Sequence, residues 1–235
     1  MPAALSLAAA ELCLVRRQDS MQLPRRVFHL AEFSNWSSIE RHGLMSASEL
    51  MDAAEVTGAR REQLEHSQRT EGVLLPSGVY LRDQRPMSPS ALSACLHGMV
   101  TSDWYAALNA RVFFWVNIDR LNRQRSACEP RPQVVLTIDV GALVAAYGRN
   151  VAVSPINTGN TRRMPARRGA ATFVPVEEWL QSGWASEAAA LGTSPRTKSH
   201  PSVELTVHGG IPDIARFTLN VSHLAARQAF EDTAA

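Results

Sequence analysis

Apolar runs arrive one at a time in this chain, and that limits the folds open to it more than any other feature. Residues 27–30, 78–81, 110–116, 134–140, 172–175, 203–207 and 215–221 read as strands, rich in β-branched or aromatic side chains and bounded by Gly, Pro, Ser or Asn. Helical stretches and long loops separate them, with no internal repeat and no regular β-α-β rhythm. Such an order points to an α+β fold rather than a doubly wound parallel sheet. The 235 residues suffice for one large domain or at most two small ones, and no break in composition marks a second.

The connecting stretches carry helix signals. Ser34 to Ser38 offers N-cap candidates for a helix through Ile39 to His42, stopped by Gly43, and Ser46 starts a second helix reaching about Glu55. Residues 57–71 are polar, either a solvated helix or a mobile connection. Further helices are predicted over 88–97, 140–147 and 177–184, and a helical turn over 118–124. Residues 149–171 read as a loop, residues 192–201 as a linker, and residues after about 225 as a dispensable tail. The first 15 residues read as a short amphipathic helix or a frayed extension ahead of Met21. They lack a basic start, Glu11 interrupts them, and they are too short for a membrane span.

Composition adds limits. A formal net charge of +2 does not by itself imply a nucleic-acid partner, but Lys198 is the only lysine, so nearly every cation is a forked guanidinium suited to phosphate. Cys13, Cys95 and Cys128 form an odd, widely spaced set with no metal-ligand spacing and no disulfide framework, which fits a reducing cytoplasm. There is no Gly-rich phosphate loop before a lysine, no His-Glu-x-x-His and no Gly-x-Ser-x-Gly. What is left is chemistry done by positioning plus one or two polar groups. Glu204 is the leading candidate: Val203, Leu205 and Val207 alternate with Glu204 and Thr206, the pattern of a half-buried strand with the carboxylate on its polar face.

Five segments, in order, resemble those of the DarT-type ADP-ribosyltransferases, toxins that modify nucleic-acid bases using NAD. Phe28-His29-Leu30-Ala31 with Trp36-Ser37-Ser38-Ile39 and His42-Gly43-Leu44-Met45-Ser46 is similar to that family's opening. Leu81-Arg82-Asp83-Gln84-Arg85-Pro86-Met87 resembles its arginine-bearing segment, and Val112-Phe113-Phe114-Trp115 its core strand. Asn157-Thr158-Gly159-Asn160-Thr161 is similar to its Thr-Asp-Gly-Asn-Ala loop, and Val203-Glu204-Leu205-Thr206-Val207 to the strand bearing its catalytic glutamate. The chain departs from the family at Pro201-Ser202-Val203 and at Asn117-Ile118-Asp119-Arg120.

The resemblance implies a single α+β domain over 27–224, after an extension over 1–26 and before a tail over 225–235, with a split mixed sheet flanked by helices around an NAD cleft. It implies Glu204 and Arg82 as catalytic residues, and His29, Ala31, Trp36, Ser38, Gly43, Leu44 and Arg85 as NAD contacts. Asn157, Thr158, Gly159, Arg162, Arg163 and Arg168 would meet the acceptor, the arginines through phosphates. NAD would be the co-substrate with no metal, the partners single-stranded DNA or RNA and an antitoxin, the role that of a cytoplasmic toxin or phage-defence effector with no membrane association. Read from the residues alone, other roles stay open: His29 as a core histidine, Trp36 as a packing anchor, Ser37 and Ser38 as caps, and the arginine loop as a solvated one. Two other functions stay open as well: transfer to protein side chains or plain NAD hydrolysis, and a non-catalytic nucleotide- or nucleic-acid-binding module.

Overall fold

The structure, a computed structural model, describes residues 22–128, 130–197 and 199–233. The short helix or frayed extension expected before Met21, most of the 1–26 extension, Cys13 and Lys198 lie outside them. The strands are β1 (Arg26–Glu32), β2 (Val73–Leu74), β3 (Tyr80–Leu81), β4 (Arg111–Trp115), β5 (Gln133–Asp139), β6 (Val151–Ser154), β7 (Val174–Pro175), β8 (Glu204–His208) and β9 (Thr218–Leu224). The α-helices are α1 (Trp36–His42), α2 (Ala47–Ala53), α3 (Gly58–His66), α4 (Pro89–Ser93), α5 (Thr101–Asn109), α6 (Ile118–Ala127), α7 (Val140–Tyr147), α8 (Val176–Ser182) and α9 (Ala185–Leu191).

Seven strands form one sheet in the order β7-β6-β8-β4-β1-β5-β9, and β2 pairs with β3 separately. The fold is α+β, as expected, but its ladders are antiparallel throughout rather than mixed. The pairing at the centre of the sheet is uneven. β1 pairs with β5 along its whole length, from Arg26–Asp139 to Glu32–Gln133, and β4 pairs with β8 along its own. β1 and β4 meet only where Phe28 faces Trp115. The sheet is thus two halves, β7-β6-β8-β4 and β1-β5-β9, whose ladders join at one row.

One face carries the main core, where Val27, Phe114, Leu136, Leu205 and Val207 pack against Leu143 of α7 and Trp179 of α8. The other face is covered by two separate patches. Phe28 and Val135 sit under Leu121 of α6 and Phe230. Ala152 and Phe113 sit with Leu92 of α4, Trp104, Tyr105 and Leu108 of α5, and Phe173. Leu30 and Trp115, packed at the edge of the first patch, and Phe113, at the edge of the second, stay half-buried although they lie on the two central strands. Central-strand side chains are normally covered on both faces of a sheet with helices on each side, so this strip marks a place left open.

Several elements differ from the sequence reading. α5 has no cap signal, because Val100 precedes it, and its buried Trp104, Tyr105 and Leu108 share one face turned to the sheet. β6 lies inside the stretch read as loop: its four residues are all buried, but Arg149, Asn150 and Pro155 flank them and hide the run. Asn35, expected to cap α1, instead accepts a hydrogen bond from the Tyr80 amide (2.8 Å) and donates one to the Tyr80 carbonyl (2.9 Å), joining β3 to α1. β8 is buried on both faces, Thr206 completely, since α4, α5 and residues 155–169 cover the side that alternation assigned to water. The residues read as a dispensable tail pack onto α6: Phe230 is buried against Phe28, and Asn122 bonds both the amide and the carbonyl of Phe230 (2.9 Å each).

Candidate active site

Glu204 opens β8, where its register partners are Trp115 on β4 and Ser154 on β6. Only 4% of it is exposed. Its carboxylate accepts from the Thr158 hydroxyl at 2.7 Å and from the Thr158 amide at 3.2 and 3.3 Å. Burial pushes its pKa up to about 7, against the Thr158 hydrogen bonds and the Arg168 and Arg120 charges, which pull it down. A carboxylate so poised can act as base or acid near neutrality, and carboxylates shifted this far concentrate at reaction sites.

Thr158 is therefore occupied. It holds the carboxylate rather than meeting an acceptor, contrary to the role expected of it. Arg168 stands behind it, donating to the Thr158 carbonyl at 3.0 Å and to the Ala166 carbonyl at 3.1 Å, beside the Trp104 ring. Arg168 is 2% exposed, so it cannot reach a phosphate in solution. The expectation that it contacts acceptor is corrected: it fixes the Thr158 loop, because Cys95 and His97 hold its backbone on both sides (2.9 and 2.8 Å). Asn157 and Gly159 are half-buried beside it, whereas Arg162 and Arg163 are exposed at the loop tip. Thr161 ties that loop to the arginine-bearing segment through the Pro86 carbonyl, by its amide (2.9 Å) and its hydroxyl (3.2 Å).

A second cluster occupies the split. His29 Nδ1 lies 2.9 Å from the Phe113 carbonyl, across the gap between β1 and β4. Burial, aided by the Arg82 charge, lowers its pKa to about 4, so the ring is neutral at physiological pH. A neutral imidazole facing a carbonyl carries its proton on that nitrogen, which leaves Nε2 as an acceptor. Arg82 Nη2 donates to Glu32 Oε1 at 2.8 Å. Glu32, buried at the end of β1, also holds Arg131 (3.4 Å), whose guanidinium stacks on Tyr80 (4.4 Å). Arg69 donates to the Arg82 carbonyl (3.2 Å) and to Asn109 (2.8 Å), bracing the segment from behind. Glu32 and Arg69 were missed in the sequence. A carboxylate at the end of an apolar strand was the available signal for Glu32; Arg69 lies in a polar stretch that gave none.

The two clusters are linked by the row Phe28–Trp115–Glu204–Ser154 and by the Thr161–Pro86 bonds. The other expected NAD contacts are placed differently. Leu44 is core, bridged to Ile211, and Gly43 is the turn that lets it be so. Ala31 is buried opposite Val134, and Trp36 lies edge-on to His223 (5.3 Å). Ser38 is half-buried on α1, and Arg85 reaches the Thr70 carbonyl (2.9 Å). Among the described residues none of these six hydrogen-bonds to Glu204, whose partner is Thr158. Among the described residues no three His, Cys, Asp or Glu side chains converge as a metal site, and no helix is long and apolar enough to cross a membrane.

Residues 25–218 match the family described as "Family of unknown function (DUF7002)". None of the curated proteins matches the chain. Among solved structures, DarT of Thermus sp. 2.9 in complex with NAD+ is similar at 14% identity over 81% of this chain and 78% of that one, with a TM-score of 0.36. At that level of likeness, function has to be read from the side chains themselves.

Proposed function

The chain belongs to the DUF7002 family, and from its side chains we propose that it is an NAD-dependent ADP-ribosyltransferase acting on a nucleic-acid base. The observation that carries this reading is the setting of Glu204: a buried carboxylate poised near pH 7, held by Thr158, at the joined row of a split sheet whose gap holds a neutral histidine. The ordered resemblance of five sequence segments supports the same reading.

Breaking the bond between nicotinamide and ribose sends the electron pair to the ring nitrogen, which leaves as neutral nicotinamide. Positive charge develops on the ribose C1′ and its ring oxygen. Ionised Glu204 would accept hydrogen bonds from the ribose hydroxyls and stabilise that charge. His29, with Nε2 free to accept, would orient a hydroxyl on the other ribose, and Arg82, kept in place by Glu32, would face the phosphates. A ring nitrogen or oxygen of the acceptor base then attacks C1′, and its proton passes to Glu204 and on to water. A base reaches such a site only from a single strand or when flipped out of a duplex. The test is incubation with NAD labelled in the adenylate half. Nicotinamide release together with label on single-stranded nucleic acid is the expected result. Release without any labelled acceptor would favour hydrolysis instead.

A further inference from the structure

The departure from the resembled family at residues 117–120 places one more cation at the site. β4 ends at Trp115, the register partner of Glu204. The chain then turns at Asn117, whose side-chain oxygen accepts from the Arg120 amide at 3.2 Å and starts α6. Trp115 Nε1 donates to Gln124 Oε1 at 2.6 Å, which seats the first turns of α6 over Trp115. Arg120 precedes Gln124 by four residues, so the two side chains share that face of the helix. Glu204 feels the Arg120 charge accordingly.

Arg120 is exposed, and among the described residues its guanidinium has no carboxylate, carbonyl or ring partner. It does not pair with Glu204, whose oxygens are engaged by Thr158 in the buried floor of the site. Three other arginines near the site already hold partners: Arg82 holds Glu32, Arg131 holds Glu32 and Tyr80, and Arg168 holds Thr158. Arg162 and Arg163 stand exposed at the loop tip rather than on the α6 face over Trp115. A forked, always-charged group left uncommitted beside a reactive carboxylate suits an anion that arrives with the substrate, and phosphate is the anion it fits best.

We propose that Arg120 is a phosphate-binding residue of the Glu204 site, gripping either the pyrophosphate of the dinucleotide or a phosphodiester of the acceptor strand. The placement at Glu204 rests on the reading of that residue given above; phosphate binding itself does not require turnover. The experiment titrates wild type, Arg120→Gln, Arg120→Lys and Arg149→Gln with inorganic pyrophosphate, ADP-ribose and a short single-stranded oligonucleotide. Arg149 is an exposed arginine at the far end of β6, so it controls for lost net charge. Arg120→Gln should weaken at least one ligand by about tenfold and lower its salt slope by about one, with Arg120→Lys intermediate and Arg149→Gln unchanged. Loss confined to pyrophosphate and ADP-ribose assigns the dinucleotide; loss confined to the oligonucleotide assigns the acceptor. Wild-type affinity in Arg120→Gln for all three, equal losses in the two Gln variants, or no binding by wild type overturns the proposal. Arg120-dependent binding in a protein that never turns over NAD would remove the transferase reading and leave the phosphate site standing.

Discussion

Glu204 and His29 are both buried titratable groups, and they bend stability in opposite directions. The folded pKa of Glu204, about 7, lies above the ordinary 4.5, so between those values the native state holds the extra proton. Stability from this group is full below about pH 4.5 and falls as pH rises to about 7. Removing the charge by Glu204→Gln should raise stability at pH 8 by on the order of 3 kcal/mol, the free-energy equivalent of the shift, and by much less at pH 4.5. Urea denaturation at the two pH values checks this; a loss of stability at pH 8 would mean that the Thr158 bonds outweigh burial. His29, lowered to about 4 from 6.5, works the other way: its contribution is present above about pH 6.5 and is lost as pH falls to 4. The sequence marked both residues, but alternation assigned Glu204 to a wet face. Which face is wet depends on what packs over it, and the covering helices α4 and α5 come from a hundred residues upstream.

At the level of elements, most strands were legible because β-branched and aromatic runs are bounded sharply, and the strongly apolar run at 110–116 became β4, the middle strand of the sheet. The failures share a cause. α5, β6 and Arg168 owe their structure to neighbours distant in sequence: α5 packs on the sheet, β6 pairs with β7 and β8, and Arg168 sits behind a loop it braces. An arginine cluster looks the same in sequence whether its members face water or each other's backbone, so Arg168 could not be told from Arg162. Gly43 gives an element-scale prediction. It ends α1 at φ 75°, and a Cβ there would lie 2.4 Å from the Ile211 carbonyl oxygen, against the bridge between Leu44 and Ile211. Gly43→Ala should cost about 3 kcal/mol, from the left-handed backbone and the clash together, and lower the melting temperature clearly. An unchanged melting temperature would show that this junction is looser than described.

Across the whole molecule, the split sheet is the feature on which the site depends. Two half-sheets share one row at Phe28 and Trp115, so residues on either side of the gap are placed by different cores: His29 with β5 and β9, Glu204 with β6 and β4. The family match, residues 25–218, takes in strands of both halves and stops at the first residue of β9. Residues 225–233 extend the coverage of the β1-β5-β9 half, with Phe230 buried and Asp232 paired to Arg26 (3.1 Å). Truncation after Leu224 should therefore destabilise the protein by about 3 kcal/mol, the usual loss for a buried phenylalanine, although the sequence alone marked that segment as removable. Chemical denaturation of the truncated chain decides between the two. The split itself was expected only through the resemblance, because no local pattern tells a strand how far its neighbour follows it.

The central claim is that Glu204 performs the chemistry. Nicotinamide release from NAD, followed against pH in wild type and Glu204→Gln, tests it most directly. Wild type should turn on with rising pH with a midpoint near 7, since the ionised carboxylate is the working form, and Glu204→Gln should release nicotinamide about a hundredfold more slowly at every pH while folding normally. A Glu204→Gln protein that releases nicotinamide at the wild-type rate would contradict the account.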